Sequence, residues 1–298
     1  MSDLRSVGSH VIMRHVLLFL FTALLASASA QPDPLAEAIA QAKALAAANA
    51  ELEREAASTK LKDALRVMLD APGAMELDLA DLPLSRVDAP DGGFRLISWN
   101  LPQADGTHRF EGFLLARKGK LTTLHELRDM TSGIASPDLA ELGADRWYGA
   151  LYYDVVPVKK GGRTWYTLLG WKGHSATETR KVIEVLGFRG GKPRFGAPLF
   201  SAPVSSGKKL KEQRKVFAYA FNASMMLRYD REQGRIVLDH LAPIRADLQG
   251  KGALMGPDMS FDAFTWQKGQ WHYQRDIDLR DPKPDKRPFN APPKEPRK

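Results

Sequence analysis

The 298-residue sequence contains no cysteine. That absence excludes disulfides, zinc thiolates, cysteine-ligated iron–sulfur clusters and cysteine nucleophiles. A membrane-length apolar helix is missing as well. The apolar run Val16–Ala26, broken only by Thr22, rises about 1.5 Å per residue as a helix and cannot cross an apolar layer of about 30 Å. No His-Glu-x-x-His pair and no Gly-x-Ser-x-Gly elbow occurs, so two compact hydrolase signatures are lacking. Glycine-rich nucleotide loops are lacking too. Gly187-x-x-Gly190-Gly191-Lys192 fails both phosphate-loop spacings and sits between two strand-like segments. No nucleotide, haem or iron–sulfur cofactor is expected, and the identity of any other cofactor stays open.

What is present begins with an export pattern. Arg14 and His15 precede the apolar run, and Ala28-Ser29-Ala30 fits a small-x-small cleavage site. Residues 1–30 therefore read as a signal peptide, with Met1 or Met13 as the start. Cleavage after Ala30 leaves no transmembrane span and implies a periplasmic or secreted protein, with a bacterial envelope favoured. What remains is long enough for one large β domain or two smaller ones.

Residues 31–70 read as an Ala-rich helical segment. Asp33-Pro34 can cap and start a helix. No Gly or Pro follows from Leu35 to Leu69, and apolar residues recur at helical spacing. Ser58-Thr59 is the expected break. The first half has a small, mostly Ala face, which suits a stalk, a loose helix or weak self-association through residues 35–69 better than a long coiled coil. Residues 71–93 read as a connection, with the alternating stretch Met75–Leu82 as an edge strand or an ordered approach to the main domain.

Residues 94–280 are β-rich. Trp147 to Phe200 forms the centre of the pattern. β-branched and aromatic residues flank Gly161-Gly162 on both sides, a strong hairpin signal because glycine supplies the positive φ that tight turns require. Lys118-Gly119-Lys120, Asp230–Gly234 and Lys268-Gly269 punctuate similar pairs. Pro157 implies that its strand is a sheet edge at that point or ends before it. Such spacing predicts an all-β domain, an antiparallel meander, sandwich or barrel-like arrangement, with a propeller as the alternative. Residues 281–298 are Pro-rich and basic and read as a disordered tail.

Candidate chemistry is dispersed. His174 follows the Gly161-Gly162 hairpin, Asp239-His240 ends another, and Asp258 and Asp262 lie close in sequence to a third. His174, His240, Asp258 and Asp262 are the catalytic candidates, with His174, His240 and Asp258 as metal ligands of a metal-assisted hydrolase. Ser175 and Ser260 have His or acidic neighbours, and Asp154, Glu184, Asp262, Asp276 and Asp278 offer carboxylates for glycoside hydrolysis. The formal net charge is +8. In an exported protein this excess points to acidic glycans or anionic surfaces, and nucleic acid is not expected. Trp171, Trp266 and Trp271 with Lys208, Lys209 and Lys211 form the candidate binding surface, with cross-strand core pairing as the competing role for the tryptophans.

Leu151–Gly162, Tyr166–Trp171, Lys192–Gly196 and Gly256–Phe264 together resemble a family of uncharacterised exported bacterial proteins. The resemblance spans residues 90–280 and implies one exported β-rich domain. It implies no activity and no catalytic residue. The combined expectation is an exported noncatalytic envelope-associated binding or scaffold protein, with a glycan, an anionic surface or an envelope protein as partner. A periplasmic or secreted hydrolase is the alternative.

Overall fold

The computed structural model describes residues 33–201 and 211–279. The expected signal peptide, the basic tail, Lys208 and Lys209 lie outside them. Two helices come first, α1 (Pro34–Ala47) and α2 (Glu51–Asp70). Asp33 starts α1 as expected, its Oδ1 accepting from the Leu35 N–H at 3.1 Å. The break falls at residues 48–50 rather than at Ser58-Thr59. Glu53 accepts from the Ala50 N–H at 3.2 Å and restarts the helix. Ser58 remains helical because its hydroxyl is used in the core, donating to Glu111 at 2.6 Å and accepting from the Trp99 indole at 2.8 Å.

Three antiparallel sheets follow in chain order. The first contains β1 (Ser85–Asp88), β2 (Phe94–Pro102), β3 (His108–Lys118) and β4 (Leu121–Arg128). The second contains β5 (Leu151–Lys160), β6 (Arg163–Gly173), β7 (Glu178–Arg189) and β8 (Lys192–Phe195), with β9 (Arg214–Ala220) also paired to β7. The third contains β10 (Leu227–Asp230), β11 (Arg235–Pro243), β12 (Met255–Gln267) and β13 (Gln270–Gln274). Each main sheet path follows the sequence order, and among the described residues no sheet closes into a barrel. β5 is an edge, as Pro157 requires. Gly161 and Gly162 take φ of 60° and 70° at its turn.

The layers share three cores. Leu61, Leu65 and Met68 of α2 pack with Ile97, Trp99, Phe113 and Leu115 of the first sheet. Leu96, Phe110 and Leu114, from the opposite face of that sheet, meet Tyr166, Leu168, Val182 and Leu186 of the second. Val156, Leu169, Ile183 and Val185 then meet Ile236, Leu238, Phe264 and Trp271 of the third. The first two sheets are thus covered on both faces, so their strands lose the simple buried/exposed alternation of a half-buried sheet. The helical segment packs into one core with the first sheet and is not a projecting stalk. Ala38, Ala42 and Leu45 of its small apolar face are buried in the helix-side core. Residues 75–82 form turns and irregular chain, the ordered approach and not the edge strand, with Leu79 and Leu82 anchored in the helix-side core.

Candidate functional site

Two of the residues singled out in the sequence come together. The β11–β12 register shifts between Asp239 and Leu241, which places His240 at an irregularity in the ladder. Across it, Met259 adopts a φ of 71° and is 93% exposed, a costly conformation for a non-glycine residue. His240 Nδ1 lies 2.7 Å from Asp262 Oδ2. Asp262 is buried and also accepts from the Tyr273 hydroxyl at 2.6 Å and the Asp276 N–H at 3.1 Å. Burial, and then the adjacent Asp262 carboxylate, push the Tyr273 hydroxyl pKa upward. On the other side of the imidazole, Arg275 Nη2 lies 3.3 Å from His240 Nε2. With Nδ1–H donating to Asp262 and Nε2 accepting from Arg275, both ring nitrogens are engaged. Asp258 is turned toward Ser260, accepting its hydroxyl at 2.7 Å. That bond, and more weakly the nearby His240, holds Asp258 below the usual carboxylate range.

The other expected site residues do not join this group. His174 sits in the β6–β7 connection with Nε2 3.8 Å from Glu178. Among the described residues, no cluster of three or more His, Asp or Glu side chains is placed to hold a metal ion. The expected ligand set of His174, His240 and Asp258 is therefore not assembled. Glu184 is no free acid for glycoside chemistry, because it is buried against Arg214. Asp154 binds the Arg231 guanidinium at 3.0 Å.

The tryptophan platform is corrected by the packing. Trp271 is 1% exposed, and its indole donates to Thr167 Oγ1 at 2.9 Å. Trp266 is half-buried edge-on against it, with centroids 5.3 Å apart. Trp171 is half-buried in the core between the first two sheets, with its centroid 6.4 Å from that of Phe110. The face that carries Trp271 is covered by the second sheet, so these rings stabilise sheet packing instead of forming a sugar-stacking surface. Lys211 is exposed.

A concave site lies elsewhere, where the first two sheets open at their hairpin ends. A cavity of about 670 Å³ is lined by Gly93, by Ala116–Lys118 and Leu121 around one turn, and by Phe188, Gly190, Gly191 and Lys192 around another, with Thr123, His125 and Tyr166 between. Its volume lies in the range of small-molecule sites. Phe94, Tyr166 and Phe188 form an aromatic group at the back, with centroids 4.9 to 6.4 Å apart. Tyr166 is fixed by donating to Asp91 at 2.7 Å. Leu121 at the rim is 68% exposed.

The polar part of this cavity is basic. Arg117 is paired with Glu76. Lys118 and Lys192 have no ion-pair partner among the described residues, and no Asp or Glu lines the cavity. His125 Nε2 is buried and has no hydrogen-bond partner. Burial lowers the His125 pKa, the Lys192 charge lowers it further, and a bond to the Gly191 backbone opposes both.

His125, Tyr166, Lys118 and Lys192 were not picked out as site residues from the sequence. The available signal was two glycine turns carrying lysines, Lys118-Gly119-Lys120 and Gly190-Gly191-Lys192. Only their proximity in the fold gives it meaning. No family model, curated protein or solved structure matches this chain.

Proposed function

We propose that this chain is an exported, noncatalytic binding protein of the cell envelope. The supporting observation is the 670 Å³ cavity with an aromatic back and a basic, acid-free lining. Apolar walls with a few convergent polar groups are the usual form of a small-ligand site. The test is a melting-temperature screen with apolar and amphiphilic compounds. A ligand that binds only the folded state raises the transition by mass action. Thr123 is exposed at the lining, so Thr123→Trp fills the cavity without disturbing the core and abolishes the rise. If no compound raises the transition through the cavity, the reading fails.

The His240–Asp262 contact at 2.7 Å favours a hydrolase as the second reading, since a carboxylate commonly orients a catalytic imidazole. Against it, Arg275 occupies the second ring nitrogen. Turnover of chromogenic esters, phosphoesters or glycosides that disappears in His240→Ala would favour this alternative. Export rests on residues 1–30. Amino-terminal sequencing of the protein from its native compartment should begin at Gln31, and an intact Met1 or Met13 terminus overturns cleavage.

A further inference from the structure

We propose that the cavity between the β3–β4 and β7–β8 hairpins takes a single-chain amphiphilic anion, with an apolar chain and one carboxylate or phosphate head. This rests on the binding-protein reading above. The cavity divides chemically. Ala116, Tyr166 and Phe188 supply its apolar interior, and the exposed Leu121 extends that surface to the rim. Lys118 and Lys192 stand at the two hairpin turns with no ion-pair partner among the described residues.

The lysines alone could be solvated surface charges. The second observation is the ring group of Phe94, Tyr166 and Phe188 behind the same lining, which holds no Asp or Glu. A ligand whose chain lies against these rings carries its head within the field of both lysines. The requirement for an apolar body follows from the interior, because an inorganic anion would leave Phe188 and Tyr166 facing an empty space. The requirement for negative charge follows from the two lysines and from the absence of lining carboxylates.

The β7–β8 turn forms one side of the cavity. Gly190 and Gly191 take φ of 59° and 78°, and neither would bring a side chain against other atoms. This turn carries Lys192 and places the Gly191 backbone against His125. The same Gly-Gly-Lys sequence fails as a nucleotide loop because it joins two antiparallel strands. It serves here as one wall of a smaller anion site.

Calorimetry on the purified protein tests the assignment with decyl phosphate, decanoate, decanol and inorganic phosphate, each below its aggregation concentration. Decyl phosphate or decanoate should bind at one per chain. Decanol and inorganic phosphate should bind at least tenfold more weakly. The double variant Lys118→Gln, Lys192→Gln should lose at least tenfold in affinity for the anions with an unchanged melting temperature, and Thr123→Trp should block them. Decanol binding as tightly as decyl phosphate, blocked by Thr123→Trp but unaffected by the lysine changes, overturns the anion assignment and leaves the cavity as a binding site. Failure of every probe overturns both. Co-sedimentation with phosphatidylglycerol vesicles without uptake of monomeric decyl phosphate overturns the single-chain ligand in favour of a membrane surface.

Discussion

Glu184 on β7 and Arg214 on β9 are directly paired across the second sheet, and both side chains are fully buried. Arg214 Nε donates to the two carboxylate oxygens of Glu184 at 2.9 and 3.1 Å. Arg214 Nη2 reaches the Phe195 carbonyl at 3.1 Å, while Nη1 has no partner. Burial lifts the Glu184 pKa and the guanidinium opposes that lift. Tyr152 donates to Glu184 at 3.3 Å and receives the Trp147 indole N–H at 3.2 Å.

Breaking this pair from one side should be severe. Glu184→Leu leaves Arg214 as an uncompensated buried charge, at a cost of roughly 3–5 kcal/mol. The double variant Glu184→Leu, Arg214→Met should recover much of that loss, because desolvation of both ions is then removed. Urea denaturation of the two variants checks the order. A double variant less stable than Glu184→Leu alone would contradict it.

Lys172 should make stability rise with pH in the alkaline range. Its ammonium donates to Thr131 Oγ1 and to the Tyr148 and Gly149 carbonyls at 2.8–2.9 Å, and Asp129 lies 3.9 Å away. Burial nevertheless lowers its pKa from 10.5 to about 8. Below pH 8 both folded and unfolded chains carry the proton, and burial of the charge opposes folding. Between about 8 and 10.5 the unfolded chain binds more protons, so stability increases with pH by roughly 3 kcal/mol. Lys172→Met should lack this increase. The difference between the two stability–pH curves isolates the lysine from tyrosine titration, and parallel curves would contradict the assignment.

Trp271 should behave as a core residue. Trp271→Ala opens a cavity between the second and third sheets and should cost about 3–5 kcal/mol. Its indole is buried, so its fluorescence should resist aqueous quenchers until unfolding. Free quenching of Trp271 in the native protein, read in a variant with the other tryptophans replaced by phenylalanine, would place it on the surface instead.

The helical hairpin should be needed for stability. Leu61 and Leu65 are both 0% exposed and pack on the first sheet. Each Leu→Ala change should cost about 2–5 kcal/mol. A chain beginning at residue 71 exposes Ile97, Trp99, Phe113 and Leu115 together and should aggregate or bind a hydrophobic dye strongly. A monomeric, cooperatively folding truncation would show that the helices are dispensable.

The local elements were legible because their causes are local. Asp33-Pro34 starts a helix, Gly161-Gly162 turns a hairpin and Pro157 marks an edge, each through backbone geometry set by adjacent residues. The helix break was misplaced because Ser58 owes its role to Glu111 and Trp99, about fifty residues away. Phe110 and Phe113 could be assigned to opposite faces of one strand from the sequence, but not that both faces would be covered.

The candidate sites divide in the same way. His240 and Asp262 were named individually, yet their 2.7 Å contact depends on the register of β11 against β12. His125, Tyr166 and Lys192 share a cavity because two sheets stack with their hairpin ends aligned. Trp271 reads the same in sequence whether it faces solvent or a neighbouring sheet. By itself, the sequence determined the antiparallel hairpins and the helical start, through turn geometry and residue periodicity. Only the tertiary structure decided which faces are buried, which charges are paired and where a ligand could enter, because those depend on contacts between segments that no local pattern encodes.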